Sequence, residues 1–154
     1  MGLRSFFKGF YFAGRGIYTA LRQERNLRIH CSAAIYVAAA ALLAEFDGLR
    51  LAVLCLCFGL VPAAELINTA IERACDAAEP NPNPLIRTAK DAAAGSVLAA
   101  SLSCVLVGVC LFAHGAVWQT IWNNLLSRPV LLGLLLLSVP LLLLWVLRPN
   151  ARRD

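Results

Sequence analysis

The sequence has 154 residues, of which 60% are hydrophobic and only 15% charged, with a mean hydropathy of +0.70 and a net charge of +5. Because such a chain has too little polar surface for a soluble domain, its composition is typical of a small polytopic membrane protein. The basic residues lie beside apolar stretches and accompany no nucleic-acid-binding motif, so nucleic acid is not an expected partner.

An amphipathic helix is predicted over residues 3–21. Its apolar and aromatic side chains fall on one stripe, and four basic residues run beside that stripe: Arg4, Lys8, Arg15 and Arg22. Such a helix can lie flat in the headgroup layer, with its aromatic rings in the acyl boundary and its arginines near lipid phosphates. A helix that packs in the ordinary way against the rest of the protein is the alternative.

Four long apolar stretches follow, over residues 29–46, 51–71, 92–113 and 130–147. Since about 20 residues cross the hydrocarbon core of a bilayer, each stretch predicts a transmembrane helix. Twelve of the 14 Lys and Arg residues lie before the first span, between the second and third, or after the fourth; only Arg50 and Arg128 lie in the other two loops. The positive-inside rule therefore places both termini and residues 72–91 in the cytoplasm.

The segments between the spans contain clear turn and loop signals. Residues 45–48 predict a short turn in which Gly48 breaks the helix, and three prolines over residues 79–84 predict an extended loop. Residues 114–128 contain Trp118 and Trp122, which are expected to anchor the chain at the outer surface of the membrane.

The most informative signal for function is an acidic stripe at the end of the second span. Glu65, Asn68, Glu72 and Asp76 fall within an arc of about 80° on one helix face. A carboxylate at membrane depth costs at least a few kcal/mol, so its presence is by default a functional-site hypothesis. Taken singly, each of these residues is more often a structural or snorkelling group.

The chemistry that this stripe suggests is phosphoryl transfer. Acids that converge without a counter-charge repel one another unless a cation joins them. Oxygen ligands suit Mg²⁺, which binds through one or two carboxylates plus substrate phosphates. Lys90 offers a positive charge for a phosphate, and a remaining carboxylate could take the proton from an attacking hydroxyl. The chain has neither a Walker loop nor a Ser–His pair at nucleophile spacing.

Several motifs in order resemble the prokaryotic diacylglycerol kinase family of small integral-membrane lipid kinases. They are E-L-I-N-T-A-I-E-R-A-C-D at 65–76, A-K-D-A-A-A-G-S-V from Ala89, F-F-K-G-F at 6–10, A-G-R-G-I at 13–17 and E-R-N-L-R-I-H at 24–30. The last two, together with Asn83-Pro-Leu, are more similar to the branch that phosphorylates undecaprenol than to the branch specialised on diacylglycerol. The similarity covers residues 5–112 and makes chance agreement very improbable.

The resemblance implies a multi-pass protein of the bacterial inner membrane, a homotrimer whose active sites are composed across neighbouring subunits. Each subunit would contribute a surface helix and three transmembrane helices. ATP and Mg²⁺ would enter from the cytoplasm, and the lipid alcohol would enter sideways from the bilayer. Carried over by motif, Glu65 would be the general base toward the lipid hydroxyl, and Asn68 would lie beside the reacting groups.

The resemblance also implies a nucleotide side of the site. Glu24 and Glu72 would hold the metal–ATP complex, and Lys90 would contact the phosphates. Asp76 and Asp91 would complete the contacts with ATP. Arg28 matches a basic family position, with a role in structure or in the approach of phosphate.

Two departures from the family pattern define what the resemblance does not cover. Ser5 stands where the family usually has a basic residue, and Arg4 beside it points about 100° away on a helix, so we assign it no catalytic contact. The chain also continues beyond the family pattern. We therefore divide it into a kinase-like membrane domain over residues 1–113 and an extension with a fourth span over residues 114–154.

Two other classes of function are weighed against the lipid kinase. Intramembrane acids such as Glu65 often mark proton or cation routes, as in a small transporter or an ion-channel subunit. A conduction path, however, needs polar groups across the full depth of the membrane, and the 92–113 and 130–147 stretches contain no acid. A structural adaptor, whose acids only pair with Arg25, Arg28 or Arg73, would not require the Ala89-Lys90-Asp91 element.

Overall fold

The computed structural model describes residues 3–150, and it describes side chains from residue 7 onward. The regular secondary structure of this part of the chain consists of helices. There are six: α1 (Leu3–Gln23), α2 (Arg25–Leu43), α3 (Gly48–Ala78), α4 (Pro84–Phe112), α5 (Gly115–Leu126) and α6 (Pro129–Leu147). Within the described range, α2, α3, α4 and α6 are long and apolar enough to cross a membrane. The predicted all-α membrane class and its four candidate spans are thus confirmed. The predicted amphipathic segment forms α1, whereas its position on the membrane surface stays a prediction.

The turn between α2 and α3 ends the first span earlier than predicted. The predicted span reached Phe46, but α2 ends at Leu43 and Glu45 takes a left-handed backbone conformation with φ 55°. The N–H of Phe46 donates to the carbonyl of Ala41 (3.2 Å), and that of Glu45 donates to Leu42 (3.2 Å). This is a Schellman motif, and the buried Phe46 ring supplies its apolar contact. The left-handed residue is therefore Glu45, and Gly48 begins the next helix.

Side chains define the starts of α3 and α4. The Asp47 carboxylate accepts a hydrogen bond from the backbone N–H of Arg50 (3.0 Å), which is the main reason why the pKa of Asp47 lies below its usual value. Asn83 caps α4 in the same way by accepting from the N–H of Leu85 (2.9 Å). Pro84, predicted as the end of the extended loop, is the first residue of α4, where a proline costs no helical hydrogen bond.

Helix α3 is longer than the bilayer core requires. Its 31 residues correspond to about 46 Å, compared with about 30 Å of hydrocarbon. If α3 enters the hydrocarbon near Gly48, it leaves again near Asn68. The acidic stripe therefore lies where the helix emerges from the membrane core.

The helices bring distant parts of the sequence to two opposite ends. At the first, the site end, residues 20–28 meet residues 65–91 and 146–150; Arg73 donates to Gln23 there at 2.6 Å. At the second, the tryptophan end, residues 43–48 meet residues 112–128. The rings of Phe46 and Phe112 lie 4.9 Å apart, and Asn124 donates to the carbonyl of Leu43 at 2.9 Å. The segment with Trp118 and Trp122 forms helix α5, and both indoles are exposed.

Most span residues are not buried within the single chain. A small core of Ala41, Phe46 and Leu54 joins α2 to α3, and α3 packs most extensively against α4. Large apolar side chains point outwards along every span, among them Leu56, Leu106 and Leu144. Exposed apolar surface of this extent requires lipid or another subunit to cover it.

Candidate active site

Glu65 is the most buried acidic side chain at the site end, with only 3% of its surface exposed. It lies on the face of α3 that packs against α2. The Asn26 side chain interacts with its carboxylate, and His30 lies close enough to interact with it electrostatically. Because Asn26 and His30 are four residues apart, both project from the same face of α2. A buried carboxylate is thereby surrounded by polar side chains from a neighbouring helix.

The acidic stripe of α3 continues from Glu65 through Asn68 to Glu72. The Asn68 Nδ2 donates to Glu72 Oε1 at 3.2 Å, while the buried Asn68 Oδ1 has no hydrogen-bond partner in the described part of the chain. Glu65 also interacts electrostatically with Glu72 and with Glu24 at the start of α2. Three carboxylates and one amide oxygen therefore converge between α2 and α3.

Arg73, on the same helix as the acidic stripe, contacts the junction between α1 and α2. Its guanidinium lies 3.5 Å from the Glu24 carboxylate and 2.6 Å from Gln23 Oε1. These contacts fix Glu24, the residue between α1 and α2, beside the acidic stripe.

Lys90 joins α4 to the same end of the molecule. Its ammonium group lies 2.7 Å from Asp76 Oδ1 and also interacts with Glu72 electrostatically. Asp91, the next residue, does not join the group: its carboxylate faces Arg87 at 3.9 Å, and the two side chains are 74% and 86% exposed. Thus Glu24, Glu65, Asn68, Glu72, Asp76 and Lys90 come together within one chain, whereas Asp91 lies apart.

Sequence reasoning missed Asn26 and His30 beside Glu65, and it named Arg73 only among the arginines with which acids would pair in a structural adaptor. A signal for the first two was present, because their spacing of four residues within the 24–30 motif places both on one helix face. For Arg73 no comparable signal existed, since its contacts with Gln23 and Glu24 depend on how α1, α2 and α3 pack.

Comparison with known proteins bears directly on this group of residues. The sequence model of the family described as prokaryotic diacylglycerol kinase matches residues 11–112, which include every residue of the converging group. The chain belongs to this family. An undecaprenol kinase from Bacillus subtilis is 38% identical over 110 residues, which cover 71% of this chain and 89% of that protein. A diacylglycerol kinase from Synechocystis sp. is 40% identical over 103 residues, which cover 66% of this chain and 59% of that protein. No solved structure gives a significant match.

Membership in the prokaryotic diacylglycerol kinase family confirms the predicted class of enzyme, a lipid kinase. The family and both relatives are named for this activity. The matched region ends at Phe112, so α5 and α6 lie outside it.

The donor atoms of the group fit a magnesium ion that arrives with a nucleotide. Among residues 7–150, no three His, Cys, Asp or Glu side chains are arranged to hold a metal by themselves. Mg²⁺ does not need such a cage, because it binds through one or two carboxylates and takes its other ligands from phosphates and water. The carboxylates of Glu24 and Glu72 are hard oxygen ligands of this kind, and the unpaired Asn68 Oδ1 is a further acceptor in the same place.

Proposed function

We propose that this protein is an ATP- and Mg²⁺-dependent kinase that transfers the γ-phosphoryl group to the hydroxyl of a membrane lipid alcohol. The acceptor is undecaprenol or diacylglycerol, and the product is undecaprenyl phosphate or phosphatidic acid. The observation that carries the proposal is the buried carboxylate of Glu65, held beside the Glu24–Glu72 group in a chain of a lipid-kinase family.

The depth of Glu65 suits a substrate that stays in the bilayer. Glu65 lies about 18 residues into α3, so a helix that starts at one membrane boundary places it close to the other, about 27 Å away. An apolar cavity of about 260 Å³ extends along α2, α3 and α4 and includes His30, Leu54, Phe58, Pro62 and Gly108 in its lining. A hydrocarbon chain in this cavity would bring its hydroxyl to the end where His30 approaches Glu65.

The proposed reaction assigns each residue a separate task. Glu65 accepts the proton of the lipid hydroxyl while the hydroxyl oxygen attacks the γ-phosphorus and ADP leaves. Asn68, one turn away, orients the reacting groups through its free amide oxygen. Glu24 and Glu72 would hold the Mg²⁺ of the nucleotide, which would neutralise phosphate charge. Lys90, positioned by Asp76 at 2.7 Å, contacts the phosphates.

We extend the proposal to a homotrimer in the bacterial inner membrane, with the N-terminus and the site end in the cytoplasm. The basic residues support this orientation, since twelve of 14 lie in segments that begin or end at the site end.

The position of Asp91 supports a shared site, because its exposed carboxylate could reach nucleotide bound by a neighbouring subunit. Co-expression of Glu65→Gln chains with Asp91→Asn chains should then restore activity that neither variant has alone.

The transporter alternative receives no specific support, and the adaptor alternative accounts for the ion pair of Arg73 with Glu24 but not for Glu65, which is buried and belongs to none of the described ion pairs. The acidic side chains near the described spans occur at the two ends of the bundle, and none lies within Ala92–Phe112 of α4 or within α6. A conduction path would require polar groups through the whole depth.

The direct test supplies Mg·ATP and either undecaprenol or diacylglycerol to the purified protein in mixed micelles. We expect ATP-dependent formation of a phosphorylated lipid, faster with undecaprenol, and loss of the product when EDTA removes Mg²⁺. Circular dichroism of the same sample checks that the helices are intact. A fully helical protein that phosphorylates neither lipid would overturn the proposal.

A further inference from the structure

A polar cavity, separate from the apolar one along α2, α3 and α4, lies at the site end on the side of α1 and α2 where α6 ends. Its volume is about 530 Å³, and its lining includes Tyr18, Arg22, Arg28, Trp145 and Arg148. We call it the arginine cavity. Trp145 and Arg148 belong to the extension beyond the family match, so the cavity is not part of the site described above.

Arg28 is the most buried residue in the lining of this cavity, with 2% of its surface exposed. Its guanidinium donates to the carbonyls of Leu21 (3.2 Å), Arg22 (3.3 Å), Val146 (3.4 Å) and Arg148 (2.9 Å), and to Asn150 Oδ1 (2.9 Å). All of these acceptors are neutral, and the buried Nε of Arg28 has no hydrogen-bond partner among the described residues. A buried charge of this kind is costly unless an opposite charge compensates it.

The described part of the chain supplies no such opposite charge. Arg28, Arg22 and Arg148 form no ion pair with any carboxylate of residues 7–150. The ion pairs at the same end of the molecule involve other cations, namely Arg73, Arg87 and Lys90. Arg22 instead lies over the ring of Tyr18, with its guanidinium carbon 5.6 Å from the ring centroid. Three cations thus line one cavity, and no carboxylate among residues 7–150 forms an ion pair with any of them.

The position and chemistry of the cavity identify the class of ligand. Guanidinium groups bind phosphate oxygens with paired hydrogen bonds, and basic pockets between transmembrane helices bind phospholipid headgroups. Tyr18 and Trp145 are residues that prefer the membrane–water interface, the level at which lipid phosphates lie. The absence of a described carboxylate in the lining leaves no partner for the ammonium group of a zwitterionic headgroup.

We propose that the arginine cavity binds the phosphate headgroup of an anionic membrane phospholipid and that this lipid holds the end of α6 against α1 and α2. The site does not depend on the kinase activity, so its test is independent of the proposed function. The ligand is a negatively charged phosphodiester rather than the lipid alcohol that the kinase would phosphorylate.

The test measures lipid retained by the purified full-length protein. Protein exchanged into neutral detergent with phosphatidylglycerol, or with phosphatidylcholine of the same acyl chains, is examined by native mass spectrometry. The double variant Arg22→Gln/Arg148→Gln removes two cations without touching Arg28. The control Arg50→Gln/Arg128→Gln removes the same charge at the tryptophan end.

We expect wild type and control to retain phosphatidylglycerol and the Arg22/Arg148 variant to bind it at least about tenfold more weakly, because two charge-assisted contacts are lost. Phosphatidylcholine should be retained weakly by all three proteins. Equal retention of phosphatidylglycerol by both double variants, or equal retention of the two lipids by wild type, would overturn the proposal. Inorganic phosphate tests whether the ligand is a soluble anion instead. If inorganic phosphate raises the melting temperature of the wild-type protein as much as phosphatidylglycerol does, the lipid assignment is wrong.

Discussion

At the scale of single residues, Glu72 interacts with three members of the converging group at the site end. It accepts a hydrogen bond from Asn68, interacts electrostatically with Glu65 and lies near Lys90. In the proposed reaction, a carboxylate with these neighbours would lie between the metal and the phosphates of the nucleotide.

Replacement of Glu72 by Gln should therefore raise the Mg²⁺ concentration needed for half-maximal activity by at least about tenfold, because a charged oxygen ligand is lost. The measurement is a titration of activity with Mg²⁺ at saturating ATP. Glu79→Gln is the matched control, since Glu79 ends the same helix and contacts only Asn81 among the described side-chain hydrogen bonds. An unchanged Mg²⁺ requirement in Glu72→Gln would remove Glu72 from the metal site.

Residue-level prediction from sequence succeeded where one helix carries the pattern. The period of 3.6 residues was enough to place Glu65, Asn68, Glu72 and Asp76 on one face, and the structure keeps Asn68 and Glu72 in contact. Contacts between helices cannot be predicted from this period. Lys90 and Asp76 are 14 residues apart in the sequence, and Arg73 and Gln23 are 50 residues apart. The role of Glu24 was reached through the family resemblance, whereas a phosphate contact of Lys90 was already suggested by its charge. The roles assigned to all these residues stay predictions.

At the scale of elements, the end of α6 depends on a residue of α2. The last carbonyls of a helix have no partner within the helix, and Arg28 donates to those of Val146 and Arg148 from outside. One side chain thus caps a helix that begins about 100 residues later in the chain.

We predict that Arg28→Gln frees the last turn of α6, so that amide hydrogens over residues 143–150 exchange about tenfold faster, as expected when charged hydrogen bonds are lost. Exchange over residues 129–136 should not change. The control is Tyr36→Phe, which removes the 3.1 Å contact with Ser138 near the middle of the same helix pair. If Arg28→Gln and Tyr36→Phe affect residues 143–150 equally, Arg28 is not the cap.

Element boundaries were harder to predict than the elements themselves. Hydropathy located the four spans but extended the first to Phe46, because an apolar side chain in a turn cannot be distinguished from one in a helix by composition. The left-handed conformation of Glu45 could not be predicted from the sequence either, because this conformation usually occurs at Gly or Asn. Helix α5 was predicted only as an interfacial segment, although its tryptophans are exposed in the way that such a segment requires.

At the scale of the whole molecule, the bundle has two chemically different ends. The site end contains the acidic group, the arginine cavity and segments with most of the basic residues, whereas the tryptophan end has Trp118, Trp122 and the turn at residues 44–47. Alternating spans bring residues 79–83 and 148–150 to the same end.

This arrangement predicts that residues at the site end can be labelled from one side of the membrane only, and residues at the tryptophan end from the other side only. In a chain whose six natural cysteines are replaced, single cysteines at Pro82 and Asn150 should react with an impermeant maleimide only in inverted vesicles. A cysteine at Asn123 should react only in right-side-out vesicles. Labelling of positions 82 and 150 from opposite sides would contradict the bundle, and labelling of both from the outside would contradict the cytoplasmic orientation.

The measurement that tests the account most directly compares Glu65→Gln with the wild type for both turnover and ATP binding. We predict that transfer of phosphate to the lipid alcohol falls by about 10²–10⁴-fold, as the loss of a general base should cause, while the dissociation constant for Mg·ATP stays within about twofold. Glu45→Gln, the same chemical change at the tryptophan end, should keep full activity. A Glu65→Gln protein that retains more than about a tenth of wild-type turnover would show that the buried carboxylate is not the base.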